Sequence, residues 1–327
     1  MEQNSEMYQV ISSVEELEWF FNHALFKPLP YESYSMVMVS RHKKLTKEEQ
    51  ETIGLTRKES EFLAVQCVRA PKIDHIQDGE EAPFEFEKFL RHVRRFNVDK
   101  YAYTTALGQP LPEKTLAVLI YINPADDIKV ADKVVETINN NKSAIVKAAL
   151  VDKKNWKSDV LPVYQNFSNL ENNIKHYKAQ CKGSVYWMDY DIDVPAWFKD
   201  PPYIKEEKGD DIIAFVNYIK PSPYFKDLKD VFNKYFGKGN YIVVDTGGGY
   251  HVLVRTCKIK FNPHIICEEV EKIYKQGIAD GNPEYLDENG KTKFEAMVND
   301  SQIPGLPLPG TYQYGRPVIV LNKEDFK

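Results

Sequence analysis

The sequence has few cysteines and keeps them apart: Cys67, Cys181, Cys257 and Cys267, with no Cys-x-x-Cys pair among them. That spacing excludes a zinc-finger or dithiol redox motif and argues against a disulfide framework. No apolar run reaches the roughly 20 residues that span a bilayer. The opening MEQNSEMYQV lacks the charged-then-apolar pattern of a secretory leader. Positive charge is not in excess either, with 43 Lys and Arg against 48 Asp and Glu for a net charge of −5. Coating of nucleic acid by bulk charge is therefore excluded, and any such contact must come from local basic patches. There is no internal repeat, no low-complexity tract and no G-x-x-x-x-G-K-[ST] nucleotide loop. These absences lead to the expectation of a protein of a reducing, cytoplasmic compartment with no membrane segment.

What is present is core. A hydrophobic fraction of 43% over 327 residues is enough for one large domain or two ordinary ones. Ser13-Val-Glu-Glu16 reads as a capping box opening a helix with Leu17, Phe20 and Phe21 on one face. The polar, proline-bearing stretch 71–83 is the best candidate linker. We therefore expect an N-terminal module over 1–80, of no readable role, and a larger domain over 84–327.

In that larger domain, FEFEKFLRHVRRFN reads as a helix carrying Lys88, Arg91, Arg94 and Arg95. A second basic cluster comprises Lys142, Lys147, Lys153, Lys154 and Lys157. Either cluster is a solvated face or a phosphate-binding patch. Leu116–Ile122 reads as a strand followed by a helix from about Ile128. Phe167, Leu170, Ile174 and Tyr177 recur at helical spacing, and Ser184–Asp191 reads as a strand. Two helices are expected over 209–236, then a hairpin formed by Tyr241–Asp245 and Tyr250–Val254 around Thr246-Gly-Gly-Gly249. Asn262-Pro263 should open a further helix, stopping at Gly277. Strands at Ala296–Asn299 and Pro317–Leu321 end the chain. The order β-α-α-β-β-α-β-β predicts an α+β fold with a largely antiparallel sheet.

Chemistry concentrates in three places. In VYWMDYD, side chains two apart on a strand share a face, so Asp189 and Asp191 project together. Adjacent carboxylates repel unless a cation lies between them, and hard oxygen donors select Mg²⁺ or Mn²⁺. The alternative is a solvated strand end. Asp193 continues the alternation but lies beside Val194-Pro195, beyond the expected strand. In the second place, Gly247, Gly248 and Gly249 remove side chains where a triphosphate can approach backbone N–H groups, with His251 following on the outgoing strand. A tight hairpin whose His merely packs is the plain alternative. Even spacing keeps Arg255 on the His251 face. In the third, Asp300 ends a short apolar strand and could complete a three-carboxylate site, with Pro309-Gly310-Thr311 and Arg316 close behind.

Taken as an ordered set, hydrophobic-D-x-D at Asp189 and Asp191, small-x-H at Gly249–His251, and a strand ending in Asp300 resemble the archaeo-eukaryotic primase superfamily. The Pro-Gly-Thr stretch after the third acid resembles the primase-polymerases of phages and plasmids. The similarity covers roughly residues 100–327. It implies an RRM-like catalytic sheet flanked by helices and template-dependent nucleotidyl transfer that makes or extends primers. Asp189, Asp191 and Asp300 are the implied catalytic, metal-binding residues for Mg²⁺ or Mn²⁺. Gly247, Gly248, Gly249, His251, Arg255 and Arg316 are the implied nucleotide-binding residues. Implied partners are nucleoside triphosphates, a single-stranded DNA template and a separate replicative helicase, in the cytoplasm of a bacterial host or virus-infected cell. Asn299 departs from the pattern, since many relatives carry a hydrophobic residue there. The rivals are a metal-dependent nuclease using the same acids, and an inactive primase-fold accessory protein binding nucleic acid or a partner.

Overall fold

The computed structural model describes residues 7–41, 45–55, 60–69, 84–105, 107–150, 177–178, 180–199, 222–287, 290–299 and 305–326. The chain is α+β and divides into two compact units, one of Met1–Val185 with Ser301–Gly315, the other of Tyr186–Asp300 with Arg316–Lys327. No described helix is long and apolar enough to cross a membrane.

The first unit is built on the strand β1 (Glu32–Arg41), whose residues are buried up to Ser40. A strand buried along its length needs hydrogen-bonding neighbours on both edges. On one side it pairs antiparallel with β2 (Ser60–Arg69), with Ser35 opposite Cys67. On the other it pairs with β3 (Leu116–Tyr121), with Met38 opposite Val118, and with β4 (Ala125–Asp126). Gly305–Pro307 and Tyr312–Gln313 add short antiparallel strands to β3. Before β1 comes helix α1 (Val14–Ala24), where the Ser13 hydroxyl accepts the Glu16 N–H at 3.1 Å as the sequence led us to expect. Helix α2 (Lys47–Thr52) lies between β1 and β2, and α3 (Phe86–Arg94) follows β2. The buried stripe of α3, Phe89, Leu90 and Val93, meets α1 through Phe21 and Phe89, whose rings are 5.3 Å apart. Helix α4 runs Asp127–Leu150.

Because β1 and β2 share a sheet with β3, the division does not fall at residues 80–84, where the polar stretch placed it. Pairing across residues far apart in sequence overrides a local linker signal. Lys88 pairs with Glu85 at 3.5 Å, and Arg91, Arg94 and Arg95 are solvent-exposed. Lys153, Lys154, Lys157, Phe167, Leu170 and Ile174 lie outside the described residues, as do the side chains of Lys142 and Lys147.

The second unit is assembled from β5 (Trp187–Asp193), α5 (Pro223–Phe236), β6 (Tyr241–Asp245), β7 (Gly249–Arg255), α6 (His264–Ala279) and β8 (Glu295–Asn299). Its five-stranded sheet runs in the order Ile319–Val320, β6, β7, β5, β8, each neighbour antiparallel. Since β7 runs against both β5 and β6, those two are parallel, and α5 is their crossover. Alternate residues Tyr190, Ile192, Tyr250, Val252, Tyr241 and Val243 point to one face and bury against Phe225, Leu228 and Phe232 of α5 and Ile266, Val270 and Tyr274 of α6. Each such side chain contributes about 1.5–3 kcal/mol by leaving water. The opposite face carries the other set: Asp189, Asp191, His251 and Asn299.

Several boundaries differ from expectation. β5 starts at Trp187 rather than Ser184 and runs on to Asp193, which therefore belongs to the strand. Helix α6 continues past Gly277 to Ala279, because Gly277 is set against an aromatic ring instead of ending the helix. Of the two helices expected over 209–236, the second is α5, and the segment 209–221 lies outside the described residues.

Candidate active site

β5 lies between β7 and β8, and its register fixes what faces its acids. Asp191 is opposite His251 on β7 and Met297 on β8, while Asp189 is opposite Leu253 and Asn299. His251 reaches both carboxylates. Its Nδ1 lies 2.9 Å from Asp189 Oδ2 and 3.2 Å from Oδ1, and its Nε2 lies 3.6 Å from Asp191 Oδ1. Asn299 Nδ2 donates to Asp189 Oδ2 at 3.4 Å. Asp189 is fully buried, whereas the Asp191 side chain keeps 40% of its surface exposed.

Electrostatics follow from this packing. Burial by itself would depress the His251 pKa, but the charge and hydrogen bond of Asp189, reinforced by Asp191 and Asp193, outweigh it and raise the value to about 9. The ring is thus an imidazolium at neutral pH, a cation between two carboxylates. The Asp191 pKa is raised, first by burial and then by Asp189, Asp193 and Glu295, with His251 acting in opposition. Asp193 and Glu295 are directly cross-strand and extend the acid row toward the β8 edge.

Two hard carboxylates on one face fit Mg²⁺ or Mn²⁺ by donor type, while the His251 imidazolium already supplies one positive charge between them. Among the described residues no group of three His, Cys, Asp or Glu side chains is gathered in a metal-binding arrangement. Asp300, the expected third acid, lies outside the described residues, next in sequence to Asn299.

The glycine turn is a hairpin tip, with Asp245 opposite Tyr250 and the Thr246 N–H donating to the Gly249 carbonyl at 3.1 Å. Its three glycines have different physical causes. Gly247 has φ 74°, a left-handed conformation that favours glycine. Gly249 approaches β5 so closely that an added Cβ would lie 2.3 Å from the Ile192 carbonyl oxygen. Only at Gly248 does an added Cβ meet open space, so a ligand can come to the backbone there. The Asp245 carboxylate accepts the Gly247 N–H at 2.7 Å, and Arg316 Nη1 donates to the Gly247 carbonyl at 3.4 Å.

The sequence-derived set is therefore brought together in part. Asp189, Asp191 and His251 converge, and Arg316 joins Gly247. Arg255 does not join the turn: it closes the other end of the seven-residue β7, about 20 Å from Gly249 at strand rise, over the Trp187 ring at 5.3 Å. Pro309-Gly310-Thr311 belongs to the first unit, where the Gly310 carbonyl accepts the Ser12 N–H at 2.8 Å beside α1. Asn299 and Lys199 were missed. Asn299 is found only through the β5–β8 register, which single-sequence alternation does not supply, and Lys199 follows the strand with no motif around it.

No family model matches the chain, and no curated protein or solved structure matches it.

Proposed function

We propose that the chain is a template-dependent nucleotidyltransferase of the archaeo-eukaryotic primase type, making or extending primers on single-stranded DNA. The observation that carries this reading is the convergence of Asp189, Asp191 and His251 on the sheet face opposite the helices. The β-α-β-β-α-β order of the second unit, with its strand order β6-β7-β5-β8, supports an RRM-like catalytic sheet.

In this reading Asp189 and Asp191, with Asp300, would hold magnesium or manganese. Such a metal, when bound, would supply Lewis-acid activation of a 3′-hydroxyl and charge neutralisation at the triphosphate. The protein's own residues orient the nucleotide. Asp189 fixes the His251 ring through Nδ1, and the Nε2 edge, 3.6 Å from Asp191 Oδ1, would exchange that partner for a phosphate oxygen held by charge and position rather than by proton transfer. The backbone at Gly248 and the Arg316 guanidinium receive the rest of the triphosphate. The partners are nucleoside triphosphates, a DNA template and a separate helicase, in the cytoplasm of a bacterial host or virus-infected cell.

The shared face of Asp189 and Asp191 also favours one second reading, a metal-dependent nuclease using the same acids. Incubation of the protein with labelled single-stranded DNA and Mn²⁺, with and without the eight nucleoside triphosphates, separates the two. Triphosphate-dependent lengthening supports the primase reading, and triphosphate-independent shortening supports the nuclease.

A further inference from the structure

Lys199 stands just past the 3₁₀ turn Ala196–Phe198 that follows β5. That turn is firmly seated: Phe198 is fully buried, Trp197 stacks on Tyr274 with ring centroids 5.7 Å apart, and Trp197 Nε1 donates to the Pro283 carbonyl at 2.9 Å. From this base the Lys199 ammonium reaches the β6–β7 hairpin. It donates to Asp245 Oδ1 at 2.7 Å and to the Gly249 carbonyl at 3.2 Å, and lies 5.0 Å from the centre of the Tyr250 ring. Asp245 is buried and Lys199 largely so, with side-chain exposures of 8% and 13%.

The geometry separates this lysine from any ligand. Asp245 and Tyr250 are opposite each other in register and share the face packed by α5 and α6, whereas His251 and Val244 occupy the other. Lys199 thus approaches the glycine turn from behind. The same Asp245 oxygen that accepts its proton also accepts the Gly247 N–H at 2.7 Å, and the Gly249 carbonyl it binds also accepts the Thr246 N–H. One ammonium therefore governs both arms of the turn and ties them to the strand that carries Asp189 and Asp191. A buried cation with two oxygen partners is hard to move, because leaving either uncompensates a desolvated charge.

We propose that Lys199 is a positioning residue for triphosphate binding, holding the glycine turn in the conformation that presents its backbone to the nucleotide. This rests on the primase reading of the same site. It goes beyond that reading by making the turn's shape depend on a residue outside every motif of the resemblance.

The test measures binding of a fluorescent deoxynucleoside triphosphate with Mg²⁺, together with the thermal midpoint, for wild type, Lys199→Arg, Lys199→Met and the double variant Lys199→Met/Asp245→Asn. The double variant removes the uncompensated buried carboxylate while leaving an amide oxygen for the Gly247 N–H, so its fold is retained. The expected result is a binding loss of about tenfold in both methionine variants, a thermal midpoint restored in the double variant, and substantial recovery of binding in Lys199→Arg. A double variant that binds as tightly as wild type overturns the role of Lys199 and leaves the primase reading standing. A wild-type protein that binds no triphosphate overturns that reading and the role of Lys199 with it.

Discussion

His251 Nδ1 lies 2.9 Å from the fully buried Asp189 Oδ2, and this contact holds a positive charge on the histidine at neutral pH. The histidine titrates near 6.5 when unperturbed and at about 9 in the folded chain. Folding therefore takes up a proton between those values. The pair's contribution to stability is complete below about pH 6.5 and is lost as pH rises through about 9. In metal-free protein, the His251 ring proton followed by NMR should titrate near 9, and Asp189→Asn should bring the midpoint down by more than one unit. A wild-type midpoint near 6.5 would contradict the pairing.

The glycines of the turn are not equivalent, and substitution should show it. Gly249→Ala drives a methyl group into the Ile192 carbonyl and should destabilise the second unit by about 1–3 kcal/mol or more. Gly248→Ala meets open space and should change stability by less than about 0.5 kcal/mol while weakening triphosphate binding. Urea unfolding and nucleotide titration of the two variants check this. Equal destabilisation by both would show that the turn is not built as described.

Gly277 gives a parallel prediction within α6. An added Cβ would lie 2.3 Å from the Trp197 ring, which is itself stacked on Tyr274 of the same helix. Gly277→Ala should cost about 1–3 kcal/mol despite alanine's higher helix propensity, and Trp197→Leu in the same chain should recover part of the loss. A stabilising Gly277→Ala would mean that the ring does not pack there.

That glycine also shows where the sequence is ambiguous. A Gly near the end of an apolar-periodic run is a helix stop by local rules, and only the presence of Trp197, distant in sequence, turns it into a packing position. Likewise the polar stretch 71–83 reads as a linker until β1 and β2 are seen paired with β3 in one sheet. The helix α5, the β6–β7 hairpin and the face shared by Asp189 and Asp191 were legible, because periodicity and turn chemistry are properties of short windows. The diagonal reach of His251 to Asp189, the amide of Asn299 and the brace of Lys199 were not. Each depends on cross-strand register or on a loop returning to the sheet, which no short window contains.

Asp191 is the exposed member of the acid pair and the one best placed to meet an incoming nucleotide, so its removal tests the central claim most directly. The measurement is nucleotide incorporation on single-stranded template without primer, with Mg²⁺ or Mn²⁺ and either the four ribo- or the four deoxyribonucleotides, comparing wild type with Asp191→Ala. The account predicts metal-dependent synthesis by wild type and a loss of at least about 100-fold in the variant, with an unchanged thermal midpoint. Undiminished synthesis by Asp191→Ala, or nucleotide binding by wild type that is indifferent to the metal and followed by no synthesis, would contradict it.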